Sequence, residues 1–206
     1  MRDVIRLALL TVLVAAIAAC NGKPADQPAP KGQVEQKAAK DPAGDQKIAA
    51  AFMEGVKSGD KKKMYQAANL TPEQVKSCLD KLVHIKQNKM DEGQRKACEG
   101  ALKVSGDIDF FAAKMQKLIP PSAIVKVVQT QSVAAPAQHL VHTVSITYTD
   151  HAAAVSDKTG KAVKELRLPL QQFDHQLDKT LVHEFAFTSQ DFEKIASRDF
   201  EVVSYF

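Results

Sequence analysis

The chain has 206 residues, with 28 lysines and arginines against 24 aspartates and glutamates, a formal net charge of +4. A balance this mild, with aromatic residues at only 6% and not interleaved with basic ones, excludes a nucleic-acid-binding surface. Three cysteines are few enough that each must be accounted for separately. The chain opens on a short charged start, Arg2 to Arg6, followed by the uncharged and almost wholly apolar residues 7–19. Thirteen residues of helix would measure only ~20 Å, short of the ~30 Å hydrocarbon core of a bilayer. A positive start with a short apolar run is the pattern of a cleaved export signal, here residues 1–19.

The end of that run, Ile17-Ala18-Ala19-Cys20, resembles the lipobox of bacterial lipoproteins. The resemblance implies diacylglycerol on the Cys20 thiol, cleavage before Cys20 and acylation of the new amine. Asn21, rather than an aspartate, implies by the same resemblance the outer membrane of a Gram-negative envelope, facing the periplasm. One acyl chain holds marginally, at ~0.8 kcal/mol per buried CH₂, and several hold firmly. The membrane is thus the first expected partner, reached through lipid on Cys20 with no spanning helix. Residues 20–46 then read as a tether: four prolines, three glycines and the lone aliphatic Val34 build no core, and as a flexible coil the segment would span ~30 Å.

Residues 47–206 leave 160 residues, enough for a single domain with a real core. Ile48, Phe52 and Val56 at i, i+4 and i+8 predict a first helix, started by Asp45 and ended by Gly59. Thr71-Pro72-Glu73-Gln74 is a helix-start signature, and Val75, Cys78, Leu79, Leu82 and Ile85 mark one face behind it. A further helix is expected over 92–103, and a separate one from Asp107 or Asp109 through Phe111, Met115 and Leu118 to the Pro120-Pro121 stop. The period then changes to two. Strands are predicted at 122–131, at 138–150 with Leu140, His142, Val144, Ile146 and Tyr148 on one face, and at 163–173. Pro169 lacks a donor, which predicts an edge position or a bulge for the third strand. Residues 177–187 fit either a helix or a strand, with strand favoured from 181; a short helix at 190–197 and a last strand close the chain. The expected class is α+β, with helices over about 47–119 packed on a curved antiparallel sheet from about 121–206.

The stretch AAFMEGVKSGDKKKMYQAA, residues 50–68, resembles the first helix and turn of nuclear-transport-factor-2-like (cystatin-like) domains of bacterial lipoproteins. The resemblance implies a sheet cupped around the helices and an apolar pocket between them. Phe52, Val56, Phe111, Met115, Val144 and Tyr148 are the candidate lining residues.

With Cys20 assigned to lipid, Cys78 and Cys98 remain, each on the apolar face of its own proposed helix. In an oxidising space antiparallel helices could bring them together as a disulfide, worth ~3 kcal/mol in the chain-entropy model. Two buried free thiols are the alternative. The six histidines do not converge in the pattern a zinc site needs: His139 and His142 lie three apart on a strand, and His151, His175 and His183 fall among turns and strand ends. Ser58-Gly59-Asp60-Lys61 and Lys158-Thr159-Gly160 spell two motifs of penicillin-binding enzymes, but Ser58 ends a helix rather than starting one and the middle motif is absent. Both read as turn chemistry. No zinc-protease, nucleophile-elbow, phosphate-loop or haem-attachment motif occurs, so no catalytic residue, metal or cofactor is expected.

Residues 47–119 carry 14 Lys/Arg against 9 Asp/Glu, while 120–206 carry 8 against 10. The densest basic run, Asp60 to Met64, reads as a solvated helix face, with contact to anionic lipid head groups or an acidic partner as the alternative. Two functions from different classes follow. The favoured one is a non-enzymatic, lipid-tethered module binding an envelope protein or a small apolar ligand. The other is an envelope enzyme whose site uses His142, Tyr148 and nearby acids around a sheet cavity; a structural role in the envelope is not separable from the first.

Overall fold

The computed structural model describes residues 41–84, 89–134 and 138–206. The export signal, Cys20 and the tether as far as residue 40 lie outside the described residues. Among those described, α1 spans Pro42–Ser58, α2 Lys61–Ala67, α3 Pro72–Val83, α4 Glu92–Met115 and α5 Ser189–Ala196. The strands are β1 Ile124–Val133, β2 His139–Thr147, β3 Val163–Leu177, β4 Thr180–Ala186 and β5 Glu201–Tyr205. They form one antiparallel sheet in the order β1-β2-β3-β4, with β5 pairing the first part of β3. The class is α+β.

The first helix starts earlier than its apolar period suggests. Asp41 caps it, accepting from the Ala43 N–H at 3.1 Å, and Pro42 takes the first turn, where its missing N–H costs nothing. Asp45, the cap expected from sequence, lies inside that turn. Residues 42–46 are therefore helical rather than part of the tether. Gly59 ends α1 in the left-handed region at φ 68°, and its N–H returns to Gly55 and Val56 carbonyls, as expected. The hydroxyl of Thr71 and the amide of Gln74 cap α3 reciprocally, at 3.1 and 2.8 Å.

One helix stands where two were expected. α4 runs unbroken for 24 residues through Ser105-Gly106. The apolar positions Cys98, Ala101, Val104, Ile108, Phe111 and Met115 keep steps of three and four across the supposed gap, so one buried face continues. Ser105 satisfies its hydroxyl on the Leu102 carbonyl at 2.9 Å, and a single exposed glycine costs only ~1 kcal/mol against that face.

In the sheet, the expected β2 face is buried from Leu140 to Tyr148. Leu177 pairs with Thr180 across a two-residue turn in which Asp178 takes φ 54°, and the following segment is strand, as favoured. Pro169 does not mark an edge. β3 is flanked on both sides, by β2 along one and by β4 and β5 along the other, and Pro169 falls where β5 has ended at Arg167 and β4 has not begun at Gln171. A proline is tolerated there because the ladder is already interrupted.

The core lies between α1, α2, α4 and one sheet face. Phe52 stacks on Phe185 with centroids 4.2 Å apart and meets Phe111 at 5.4 Å; Phe111 in turn stacks on Phe187 at 4.8 Å. α3 contributes no buried residue and packs on α4, to which the Cys78–Cys98 disulfide fastens it, with Cα atoms 4.9 Å apart. No helix among the described residues is long and apolar enough to cross a membrane.

Candidate functional site

The six residues expected to line an apolar pocket instead fill the space. Phe52, Val56, Phe111, Met115, Val144 and Tyr148 are each at most 1% exposed and belong to one contiguous core cluster. None of them lines either of the two clefts described below. Tyr148 is tied inward: its hydroxyl donates to the Leu118 carbonyl at 2.8 Å, and burial pushes its ionisation upward. His142 is wholly buried. Its Nε2 faces Gln172 Oε1 at 2.9 Å, so that nitrogen carries the proton, and Nδ1 accepts from the Thr130 hydroxyl at 2.9 Å. Both nitrogens are engaged in holding β1, β2 and β3 together, which removes His142 and Tyr148 from the catalytic roles considered for them.

The larger cleft lies on the outer side of the α1–α2 pair. It holds about 650 Å³, inside the range of ~300–1,000 Å³ usual for small-molecule sites. α1 supplies Lys47, Ile48, Ala51 and Glu54, the i, i+4, i+7 stripe opposite its buried face, and α2 supplies Lys63, Gln66 and Ala67. The helices run back to back because Gly55 lets Met64 approach: a Cβ on Gly55 would stand 2.8 Å from the Met64 Cγ and 2.9 Å from its backbone nitrogen. Beyond that contact, Asn69 and His183 close the far end. β4 is brought there by its edge. The His183 N–H donates to the Ala68 carbonyl at 3.0 Å, and the Asn69 side chain donates to the Leu181 carbonyl at 2.6 Å.

His183 is held by a carboxylate. Its Nδ1 lies 2.9 Å from Asp174 Oδ1, and Gln172 Nε2 approaches the same pair at 3.2 Å and 3.3 Å. A carboxylate only accepts, so Nδ1 bears a hydrogen. His183 forms part of the cleft wall. A chain of polar contacts thus runs from Thr130 through His142 and Gln172 to the Asp174–His183 pair. The sequence alone places His183 among turns and strand ends; in the sheet Asp174 lies opposite it on the neighbouring strand. Only the strand register pairs them, and no spacing motif in the sequence announces it.

On the other sheet face, His175 Nε2 meets Glu184 Oε2 at 2.5 Å, and Glu184 also takes Lys103 at 2.9 Å. Burial opposes the charge on Lys103, but bonds to Glu184 and Asp107 outweigh it and raise its pKa. Among the described residues no group of three His, Cys, Asp or Glu side chains is arranged to hold a metal ion.

The second cleft, about 260 Å³, opens at the break between β4 and β5, between Arg167 of β3 and Lys194 of α5. Its cations face Asp191, Asp199 and Glu201; Asp191 caps α5, and Asp199 binds Lys158 at 2.7 Å. The two motifs shared with penicillin-binding enzymes act locally. Ser58 donates to the Glu54 carbonyl at 2.8 Å, and Gly160 takes φ 84° in a turn organised by Asp157. In the basic run, Lys61 binds Asp109 at 2.8 Å, which raises its pKa, while Lys62 and Lys63 are exposed. No protein-family model, curated protein or solved structure matches the chain.

Proposed function

We propose that the chain is a lipid-anchored lipoprotein of the bacterial envelope, on the outer membrane facing the periplasm, that acts as a non-enzymatic binding module. The anchor rests on the short apolar run and Ile17-Ala18-Ala19-Cys20. The binding role rests on one observation, the 650 Å³ cleft between α1 and α2 with its aliphatic walls and convergent polar groups. The proposed site is the outer face of the helical pair, because core side chains fill the space behind the sheet. A small ligand fits this cleft better than an envelope protein, because the site is a groove two helices wide. A membrane anchor would raise the effective concentration of any ligand or partner confined to the same space. The helices-then-sheet order supports kinship with nuclear-transport-factor-2-like (cystatin-like) domains, in a version whose interior is packed solid.

The Asp174–His183 pair favours a second reading, an envelope hydrolase in which His183 Nε2 takes a proton from water. The two are separated by native mass spectrometry of the protein drawn from the membranes of its own host. Binding predicts a small molecule that co-purifies one to one and is lost in Ala51→Trp, which fills the cleft from an exposed helical position. Recovery of bare protein that cleaves ester probes, with the activity lost in His183→Asn, would overturn it.

A further inference from the structure

We propose, resting on the reading of this cleft as a ligand site, that its ligand is a medium-chain aliphatic carboxylate, a free fatty acid lying along α1 with its head group at the His183 end. The chain directions fix the layout. α1 and α2 are joined by the tight turn at Gly59-Asp60 and touch at Gly55 and Met64, about one helical turn to either side of it. Lys63 and Glu54 line the cleft close to that turn, whereas Lys47, two helical turns before Glu54, lines it farther from the turn, as Ala67 and Asn69 do on the α2 side. At the turn end a cation and a carboxylate offset each other. At the far end Lys47 stands without an opposing carboxylate in the cleft wall.

The cleft is thus polarised. One end carries the Lys47 ammonium and the amides of Gln66 and Asn69; the length between is Ile48, Ala51 and Ala67. A carboxylate at the far end takes a charge-assisted hydrogen bond from the Lys47 ammonium. The alkyl chain then covers the aliphatic stripe and leaves water at ~0.8 kcal/mol per buried CH₂. A cationic amphiphile would place like charge against Lys47, and a neutral alcohol would forgo the charged bond.

The test uses the full chain from residue 20 onward with Cys20→Ser, so that no acyl group of its own competes for the cleft. Decanoate, decanol and decyltrimethylammonium are titrated by calorimetry below their micelle concentrations. Decanoate is expected to bind one to one, at least tenfold more tightly than either of the others, and to weaken as salt rises. Lys47→Glu should weaken decanoate at least fivefold and leave decanol unchanged, while Ala51→Trp should remove binding of all three. Gln66→Trp, also at an exposed helical position, repeats the blockade if the first variant unfolds. Equal or tighter binding of the alcohol or the ammonium would overturn the assignment of an anion. Decanoate binding that survives both blocking variants would overturn the location. Failure of all three probes would refute the fatty-acid proposal alone if a different small molecule co-purifies from the host, and would bring down the binding reading as well if none does.

Discussion

Reducing the Cys78–Cys98 bridge isolates the contribution of one covalent bond to a helix that has little else. The bridge closes a segment of 20 residues, and the chain-entropy relation then gives about 11 cal/mol/K, or about 3 kcal/mol at 25 °C. α3 cannot make this up by packing. It buries no residue; Val75, Cys78 and Leu82 are half-buried against α4, while Leu79 and Val83 are 52% and 68% exposed. At 12 residues it is also at the lower limit for an independent helix. For a domain of this size, about 3 kcal/mol corresponds to a fall in Tm of about 6–12 °C. The assay is thermal and urea unfolding with and without reductant, with hydrogen exchange read separately over 72–83 and 92–115. Reduction should lower Tm by that amount and strip protection from α3 first, leaving the Phe111 half of α4 protected. The Cys78→Ala, Cys98→Ala double variant should match the reduced protein within the small cost of truncating Cys98. A Tm unchanged by reduction, with α3 as protected as before, would show that packing rather than the bond holds the helix. Full alkylation of the native protein before any reductant is added would show that the bond does not form.

Three further outcomes bear on other parts of the structure. Phe52→Ala removes the ring shared by Phe185 and Phe111 from a fully buried position and should cost about 3–5 kcal/mol in urea unfolding, without altering the exposed stripe of α1. Gly55→Ala meets the Met64 backbone nitrogen at 2.9 Å, and backbone cannot swing aside; a loss of about 1–3 kcal/mol is expected despite alanine's better helix propensity, together with weaker binding in the cleft. For Asp157, burial works against the charge, but bonds from the Thr159 and Tyr205 hydroxyls and the Lys161 and Thr159 N–H groups hold its pKa at about 2. A carboxyl whose folded pKa is depressed contributes stability that is complete above its unfolded value and is lost as pH falls through the folded one. Acid unfolding followed by circular dichroism should therefore show a component between about pH 4 and pH 2 that vanishes in Asp157→Asn, whereas an unchanged acid limb in that variant would contradict the assignment.

The layout of helices and strands was legible where one local signal had no competitor. Thr71 with Pro72 and Gln74 marked a helix start, and the β-branched alternation of β2 marked a strand with one buried face. Errors arose where two signals overlapped. Asp45 and Asp41 are both plausible caps, and only the proline after Asp41 decides between them. Ser105-Gly106-Asp107 looks like a break and a new cap, yet the apolar steps continue through it, and a long buried face outweighs one glycine. The candidate site was the least legible part. The inner stripe of α1 is implied to line a pocket only by the resemblance to nuclear-transport-factor-2-like domains, but apolar residues at helical spacing fill a core whenever the opposite face can meet them, as Phe185 and Phe187 do. The cleft instead uses the outer stripe, whose mixed composition of Lys47, Ala51 and Glu54 is that of any solvated helix face. Its partner histidine comes from a residue 136 positions later in the chain than Lys47, on a strand whose register no local pattern specifies.

The claim on which the account most depends is that a membrane-anchored chain presents this domain to the envelope. Intact-mass and peptide mass spectrometry of the protein from the outer-membrane fraction of its own host test it directly. The account predicts a chain beginning at residue 20, carrying diacylglyceryl on sulfur and an acyl group on the new amine. A water-soluble species with an unmodified Cys20, or a chain that keeps residues 1–19, would contradict it.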